Sequence, residues 1–469
     1  MYKSKLIQTL RVLDSQEKEY LKKWIISPAH NQHKETTKLF IYLLSKRKLT
    51  PFTCNKQHVF EQLYPKQKLN NAQLRYIMGL AVHCLEEFIG FSSQKKSPLP
   101  LNKALIQFYR KHKLDKFAEQ HIQKTKKIQK KNPLQNSEYF YHQYQLEQEV
   151  FEQQGTDTRI RSTNLQAIFN NHYIAFILET LRHACTAITH QNLYNSTYDI
   201  PLLSEVLNSA KSTIYKDIPA VQLYYHSYMA LANPTKEIHF QVLKSLLLRH
   251  NNTLPNNEIK SIYVIAINYC VRRLNTGVEE YVQAVFELYK YGLDYNILIE
   301  AGQLSRFAYK NIATAAIRLK EYDWVNKFIQ QYTPLLKDLY QENYARYVKA
   351  KLLFSQGNYA ATMELLSHVE FDDLFLNTGA KMILIKIYYE QQSFEVLESL
   401  LDSFRRFLQR KSIIAYQKQI YENTIHLTEK LVNLNIYDKV AKAALLEEIE
   451  TTNPLTERPW LLTQLNKIK

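Results

Sequence analysis

Apolar residues recur at helical spacing along most of this chain, and the clearest instance lies between residues 343 and 369. One set of apolar positions shares a face of a first helix, and a second set shares the inner face of the helix that follows. The two sets are Ala345, Val348, Leu352 and Leu353, then Ala360, Met363 and Leu366. Gly357 separates them, at a point where a left-handed residue ends a helix with little strain. The pattern predicts two antiparallel helices joined at Gly357 and Asn358.

The same junction recurs on both sides of this hairpin. Lys320 and Gln392 stand where Gly357 stands, each two residues before an aromatic residue, and the three junctions are 37 and 35 residues apart. The run from Phe354 to Tyr359 and its two counterparts resemble the helix-turn-helix junction of the tetratricopeptide repeat, whose unit is about 34 residues. The resemblance covers residues 301–432 and implies a right-handed superhelix of paired helices. A plain bundle of α-hairpins is the alternative.

Glycine and proline are sparse. The 469 residues contain 8 glycines, and no proline lies between Pro334 and Pro454. Because the turns between the strands of a sheet frequently need glycine or proline, the sequence predicts an all-α fold. We expect a basic N-terminal helical domain over residues 1–92, degenerate helical hairpins over 93–300, tetratricopeptide-like repeats over 301–432, and C-terminal capping helices over 433–469.

Local signals mark the ends of this arrangement. Asp14 or Ser15 can cap the second helix, which stops at Ser27 and Pro28, and the polar run over residues 92–100 predicts a linker. At the other end, three apolar residues are expected to seal the last exposed helix face, as helical solenoids require. They are Trp460, Leu461 and Leu465.

A second resemblance rests on three runs. They are residues 268–271 (NYCV), residues 286–290 (FELYK) and the closing run 456–462 (TERPWLL). With these runs the chain is similar to uncharacterised helical-repeat proteins of the Bacteroidota. This resemblance implies a bacterial helical-repeat protein and no particular activity.

The positive charge belongs to the N-terminal quarter. The whole chain has a formal charge of +17, but residues 1–131 contain 27 lysines and arginines against nine acids, and the remainder contains 34 against 35. A lysine-rich helix face can neutralise nucleic-acid phosphates without reading sequence, so nucleic-acid binding is one hypothesis. An ordinary solvated face, or one that docks an acidic protein, is the other interpretation. The residues concerned are Lys116, Lys124, Lys126, Lys127, Lys130 and Lys131.

The repeats suggest a different binding surface. If the first helix of each unit lines a concave groove, as the tetratricopeptide resemblance implies, matched positions at a spacing of three or four share its face. Together they predict a basic, aromatic-lined groove for an acidic peptide or a C-terminal carboxylate. The predicted peptide-binding residues are Lys310, Arg318, Tyr347, Lys351, Lys386 and Tyr389, with Thr314, Phe354 and Glu390 beside them. A solvated face with aromatic rings packed between helices is the alternative.

Signatures of enzyme chemistry are missing from the sequence. No glycines cluster into a phosphate-binding loop, and neither a nucleophile elbow nor a zinc-protease helix motif occurs. His30 and His33 have a spacing that could hold a metal, but zinc needs further ligands that the sequence does not supply. Four widely spaced cysteines and the lack of an apolar leader or spanning segment favour a reducing, cytoplasmic setting.

These observations lead to one preferred function and one alternative. We expect a non-enzymatic scaffold or adaptor that binds a protein or peptide through its helical-repeat groove, with no cofactor, metal, membrane or small-molecule substrate. The alternative is a nucleic-acid-associated protein that binds the phosphate backbone through residues 1–131.

Overall fold

Helices form nearly all the regular structure of this computed structural model. It describes residues 1–96, 98–154, 163–194, 196–250, 252–275, 277–367, 373–410, 415–435 and 437–468. These residues contain 24 α-helices and one two-stranded antiparallel ribbon, in which Ile299 pairs with Leu304. The predicted all-α fold is confirmed. No helix in the described ranges is both long and apolar enough to span a membrane.

The chain forms two compact units. Unit 1 consists of Met1–Lys131 and His142–Phe169, and unit 2 consists of Asn132–Tyr141 and Asn170–Lys469. Each has its own hydrophobic core. The boundaries predicted at residues 92, 300 and 432 stay predictions.

Unit 1 is built from short amphipathic helices around a core that includes Phe40, Phe60 and Phe88. Asp14 caps α2 with a reciprocal capping box, since its side chain accepts from the Glu17 amide and the Glu17 side chain accepts from the Asp14 amide. The helices are α1 (Lys5–Val12), α2 (Ser15–Ile26), α3 (Lys34–Ser45), α4 (Lys56–Leu63), α5 (Asn71–Lys96), α6 (Pro98–Lys111), α7 (Asp115–Lys131) and, continuing from unit 2, α8 (Ser137–Gln154).

The linker predicted over residues 92–100 is wrong. Helix α5 continues through this polar run to Lys96, and α6 begins at Pro98; residue 97 lies outside the described ranges. Polar residues such as serine, glutamine and lysine extend a helix whose apolar part is already packed, because propagation adds one hydrogen bond per residue. Pro98 sets the helix boundary, because a proline disfavours helical geometry at the preceding residue and is tolerated in a first turn.

Unit 2 is a succession of helices joined by short connections. They are α9 (Leu165–Tyr194, which begins in unit 1), α10 (Leu203–Lys211), α11 (Thr213–Lys216), α12 (Pro219–Ala232), α13 (Glu237–Arg249), α14 (Asn256–Asn275), α15 (Tyr281–Asp294), β1 (Ile299–Glu300), β2 (Gln303–Leu304), α16 (Arg306–Arg318), α17 (Tyr322–Tyr332), a 3₁₀ turn (Thr333–Leu335), α18 (Asp338–Ser355), α19 (Tyr359–Ser367), α20 (Leu374–Glu390), α21 (Phe394–Arg410), α22 (Ala415–Val432), α23 (Lys439–Thr451) and α24 (Arg458–Lys467).

Consecutive helices of unit 2 pack as hairpins. Helix α12 packs on α13, α14 on α15, α16 on α17, α18 on α19 and α20 on α21. The first helices of the last three hairpins also pack on one another, α16 against α18 and α18 against α20. This arrangement is compatible with a helical-repeat fold. Residues 368 and 369, at the end of the stretch that predicted the central hairpin, lie outside the described ranges.

The three predicted junctions close in the same way. Lys320, Gly357 and Gln392 all have a left-handed backbone, with φ of 60°, 78° and 57°. The amide after each of them donates to a carbonyl oxygen five residues earlier, at 3.0, 3.0 and 2.8 Å. These are the bonds of a Schellman motif, which satisfies carbonyl groups left over at a helix end. The three junctions are therefore structurally equivalent, including Lys320 and Gln392, which stand where the third junction has a glycine.

Two further junctions share this closure. Gly277, between α14 and α15, has φ of 90°, and Lys113, between α6 and α7, has φ of 57°. In both cases the following amide again donates to the carbonyl oxygen five residues earlier, at 3.1 and 2.8 Å. The same local motif thus ends helices in both units.

The C-terminal helices cover the last apolar face. Leu461 and Leu465 on α24 are buried in a cluster with Leu427, Leu431 and Leu445 of α22 and α23. The ring of Trp460 packs at the margin of this cluster. The two leucines are thus buried, and the assignment of residues 433–469 as capping helices stays a prediction.

Candidate functional site

Polar side chains form a column along α16. Arg306, Lys310, Thr314 and Arg318 are spaced by four residues, so they share one face of the helix. Helix α18 lies beside this face, and the Nζ of Lys351 donates a hydrogen bond of 3.1 Å to Thr314 Oγ1. The bond joins the first two of the three predicted groove helices.

Four predicted peptide-binding residues come together around this bond. Lys310, Arg318 and Lys386 all act electrostatically on Lys351, which places cations from α16, α18 and α20 in one neighbourhood. We call Lys310, Arg318, Lys351 and Lys386 the cation cluster. Lys310, Lys351 and Lys386 are partly buried, whereas Arg318 is exposed.

Burial and like charge act together on Lys351. Desolvation is the larger cause and Lys310 the next, with Lys386 and Arg318 adding to them, and they lower the pKa of the Lys351 amine to about 7 against the opposing effect of Glu457. Desolvation also lowers the pKa of Lys310, against the opposing charge of Asp373. The protein therefore holds these two amines in surroundings that disfavour their charged form.

Other cations of the site have carboxylate partners. Arg306 pairs with Asp373 at 2.9 Å, Arg318 pairs with Glu279, and Lys386 pairs with Glu457. Among the described residues, no carboxylate lies within ion-pair distance of Lys310 or Lys351. In the described part of the site, five basic side chains therefore have three carboxylate partners, and the two without one are Lys310 and Lys351.

Glu457 reaches the cluster from the start of α24. Burial by itself would raise the pKa of its carboxyl, but Lys386 first, and then Lys351 and Arg318, lower it below the ordinary value. A carboxylate of the chain itself is thus stabilised by three members of the cation cluster.

The predicted aromatic residues take packing positions. Tyr347 is 4% exposed, and its hydroxyl lies so close to α20 that a Cβ on Gly379 would be 2.3 Å from it. Tyr389 packs its ring against Trp460 and Phe394, with centroids 5.5 and 6.0 Å apart. Both tyrosines therefore pack against neighbouring helices.

Phe354 and Glu390, which were expected beside the groove, also have partners within the chain. The Phe354 ring stacks on Tyr359, with centroids 5.7 Å apart. The Glu390 carboxylate accepts hydrogen bonds from Trp460 Nε1 at 2.8 Å, from Gln464 Nε2 at 3.1 Å and from the Tyr359 hydroxyl. Glu390 therefore links α24 to α20 through hydrogen bonds.

The lysines predicted for nucleic acid lie on α7 in unit 1. This helix buries Ala118, Ile122, Thr125 and Gln129 and turns its lysine-rich face to solvent. Within the described ranges none of the six lysines forms an ion pair with a carboxylate. Five are exposed and Lys126 is half-buried; the exposed ones are Lys116, Lys124, Lys127, Lys130 and Lys131.

Histidine and cysteine side chains have structural surroundings. The His30 ring stacks on Trp24, with centroids 3.5 Å apart and planes at 10°. Among the described residues no three histidine, cysteine, aspartate or glutamate side chains are placed to hold a metal ion. The four cysteines are buried free thiols, and burial raises the pKa of Cys84 to about 11 and of Cys270 to about 12.

Three residues of the site were not singled out by the sequence. Arg306 lies one turn before Lys310 on α16, so its helical spacing was a usable signal. Asp373 had the signal of a helix cap, since its side chain accepts from the Phe375 amide at 2.9 Å. Glu457 had no comparable signal, because it comes from another helix pair far along the chain.

Comparison with known proteins adds no family to this description. The chain matches no known protein family, no curated protein and no solved structure at a significant level. The resemblances to tetratricopeptide repeats and to Bacteroidota helical-repeat proteins stay predictions.

Proposed function

We propose that unit 2 is a non-enzymatic protein- or peptide-binding scaffold of tetratricopeptide-like hairpins, and that acidic groups of its ligand bind at the cation cluster. The observation that carries this proposal is that two of the basic side chains where α16, α18 and α20 meet, Lys310 and Lys351, have no carboxylate partner among the described residues. A buried ammonium group without a counter-ion is unfavourable, so a ligand anion at this place is stabilised by these groups and favours their charged form. The buried free thiols also suit a reducing compartment such as the cytoplasm.

The repeated hairpins favour an extended ligand over a compact one. Stacked hairpins offer equivalent side chains at regular intervals, which suits a peptide that crosses several of them. Here the equivalent positions, six residues before each junction, carry Thr314, Lys351 and Lys386, and Lys310 lies one turn before Thr314 on α16. Acidic residues spaced along a peptide can meet these lysines in turn.

An array of peptides with acidic residues at varied positions tests the proposal. Binding is measured by fluorescence polarisation with the full chain and with Lys351→Glu and Lys386→Glu. Both variants are expected to lose most affinity, because each replaces an attractive charge by a repulsive one. Lys349→Glu is the matched control, since Lys349 is exposed on the same helix as Lys351. Equal binding by all three variants and the parent refutes this site.

Nucleic-acid binding by unit 1 is the second candidate, and the exposed lysine face of α7 favours it. The test is DNA and RNA binding as a function of salt. Phosphate contacts release counter-ions, so affinity should fall steeply between about 50 and 200 mM salt. The combined change of Lys124, Lys127 and Lys131 to Glu should abolish binding. Salt-independent binding, or full binding by this variant, excludes the proposed phosphate interface.

A further inference from the structure

We propose that Lys310 and Lys351, with the hydroxyl of Thr314, form a binding site for a phosphoryl dianion, and that a phosphorylated residue of the partner peptide supplies it. The inference rests on the proposed function, because the peptide is the ligand assumed there. It goes further by naming the group that the ligand places in the cation cluster.

The charge balance selects a dianion. Arg306, Arg318 and Lys386 each have a carboxylate partner, so the two basic groups that a ligand can still neutralise in the described part of the site are Lys310 and Lys351. A single carboxylate offsets one of them and leaves the other buried without compensation. A phosphoryl group carries close to two negative charges at neutral pH and has three acceptor oxygens, which matches two ammonium groups and a hydroxyl.

The geometry supplies suitable donors. Lys351 Nζ and Thr314 Oγ1 are 3.1 Å apart, so one phosphoryl group can accept hydrogen bonds from both. The Thr314 oxygen accepts from Lys351 in this structure, so its hydroxyl hydrogen can be donated to the ligand. Both lysines are partly exposed as whole residues, although burial is the largest influence on their amines.

The site also couples anion binding to a proton. Lys351 faces Lys310 and Arg318 from α16, Lys386 from α20 and Glu457 from the start of α24. The pKa of the Lys351 amine is lowered to about 7, chiefly by burial, and the Tyr347 hydroxyl nearby has a raised pKa and stays neutral. A bound dianion favours the charged amine, so binding above neutral pH takes up a proton on Lys351.

Sulfate is the first probe, because it remains a dianion across the neutral range. Titration calorimetry of the full chain is expected to give binding that weakens roughly tenfold between about pH 6.5 and pH 8.5, as the Lys351 amine loses its proton. At about pH 8 the observed heat should differ between two buffers of different ionisation enthalpy, which reports proton uptake. A pH-independent affinity with equal heats in both buffers overturns the assignment of Lys351.

Variants separate the site from general charge effects. Lys351→Met and Lys310→Met should each weaken sulfate binding by about tenfold or more, whereas Lys349→Met, two residues from Lys351, should leave it unchanged. Glu457→Gln should tighten sulfate binding about threefold at pH 6.5, because Lys386 is released from its carboxylate. A gain of affinity is not a consequence of misfolding. Equal loss in Lys349→Met, or no binding by the parent, refutes the dianion site.

Peptides distinguish the source of the anion. A phosphoserine peptide should bind more tightly than the same peptide with serine or glutamate, and should compete with sulfate. If inorganic phosphate binds at the site and no phosphopeptide does, the phosphorylated partner is refuted and free phosphate is the ligand. If unphosphorylated acidic peptides bind through Lys351 and Lys386 while sulfate and phosphopeptides have no advantage, this inference fails and the proposed scaffold function stands.

Discussion

Removal of the Lys351 amine should change how the stability of unit 2 depends on pH. The pKa of this amine falls from 10.5 in the unfolded chain to about 7 in the folded protein. Between these values the unfolded chain holds a proton that the folded protein lacks, so the free energy of unfolding rises with pH. The slope for one such group is about 1.36 kcal/mol per pH unit.

The magnitude follows from this slope. From about pH 7.5 to about pH 9.5 the parent protein should gain up to about 2.7 kcal/mol relative to Lys351→Met, which has no proton to release. Near pH 7 the variant should be the more stable of the two, because methionine fills a similar volume without a charged group to desolvate. The stability difference therefore narrows as pH rises.

Urea unfolding followed by circular dichroism measures this difference at several pH values. Lys349→Met is the control, because Lys349 is exposed on the same helix. Its stability should run parallel to that of the parent. If the gap between the parent and Lys351→Met stays constant from pH 7.5 to 9.5, Lys351 is not held as a neutral amine and the reasoning is refuted.

Three sets of substitutions test the fold around the site, and thermal or urea unfolding measures their effect on stability. Gly357→Ala should destabilise the protein by about 1 kcal/mol and Lys320→Gly should stabilise it by about 0.5 kcal/mol, because both positions have a left-handed φ. If the two effects had the opposite signs, the two junctions would not share this backbone conformation. Gly379→Ala should destabilise by about 1–3 kcal/mol through its clash with the Tyr347 hydroxyl, and Tyr347→Phe in the same chain should recover part of the loss. Trp460→Ala should destabilise the protein by about 3–4 kcal/mol and Trp460→Phe by less, because the Trp460 ring packs on Tyr389 and its indole N–H donates to Glu390. Equal losses of stability in the two variants would show that the ring packing contributes little.

Helix content and the hairpin junctions were readable from the sequence because their causes are local. Helical periodicity of apolar residues, the scarcity of proline and the capping residue Asp14 each act within a few residues. The register of the junctions was readable too, although Lys320 and Gln392 lack the glycine signal. Their left-handed backbone follows from the surrounding helices, whose packing outweighs a strain of about 1–2 kcal/mol at each residue.

The prediction of a linker over residues 92–100 was wrong because it depended on composition. Residues 92–96 have the composition of a loop, but nothing in that run prevents a helix from continuing. Composition describes solvent exposure, and an exposed last turn of a helix has the same composition as a linker. The decision between them depended on Pro98, which both ends one helix and begins the next.

The sequence by itself selected the four members of the cation cluster, but not Arg306. Spacing of four along α16 and the repeat spacing between hairpins were sufficient to select Lys310, Arg318, Lys351 and Lys386. Only the tertiary structure decided which carboxylates meet them and which two amines remain without one. Glu457 reaches Lys386 because α24 folds back on α20, and charge compensation and desolvation depend on distances between segments that are remote in sequence. The function proposed here rests on that balance.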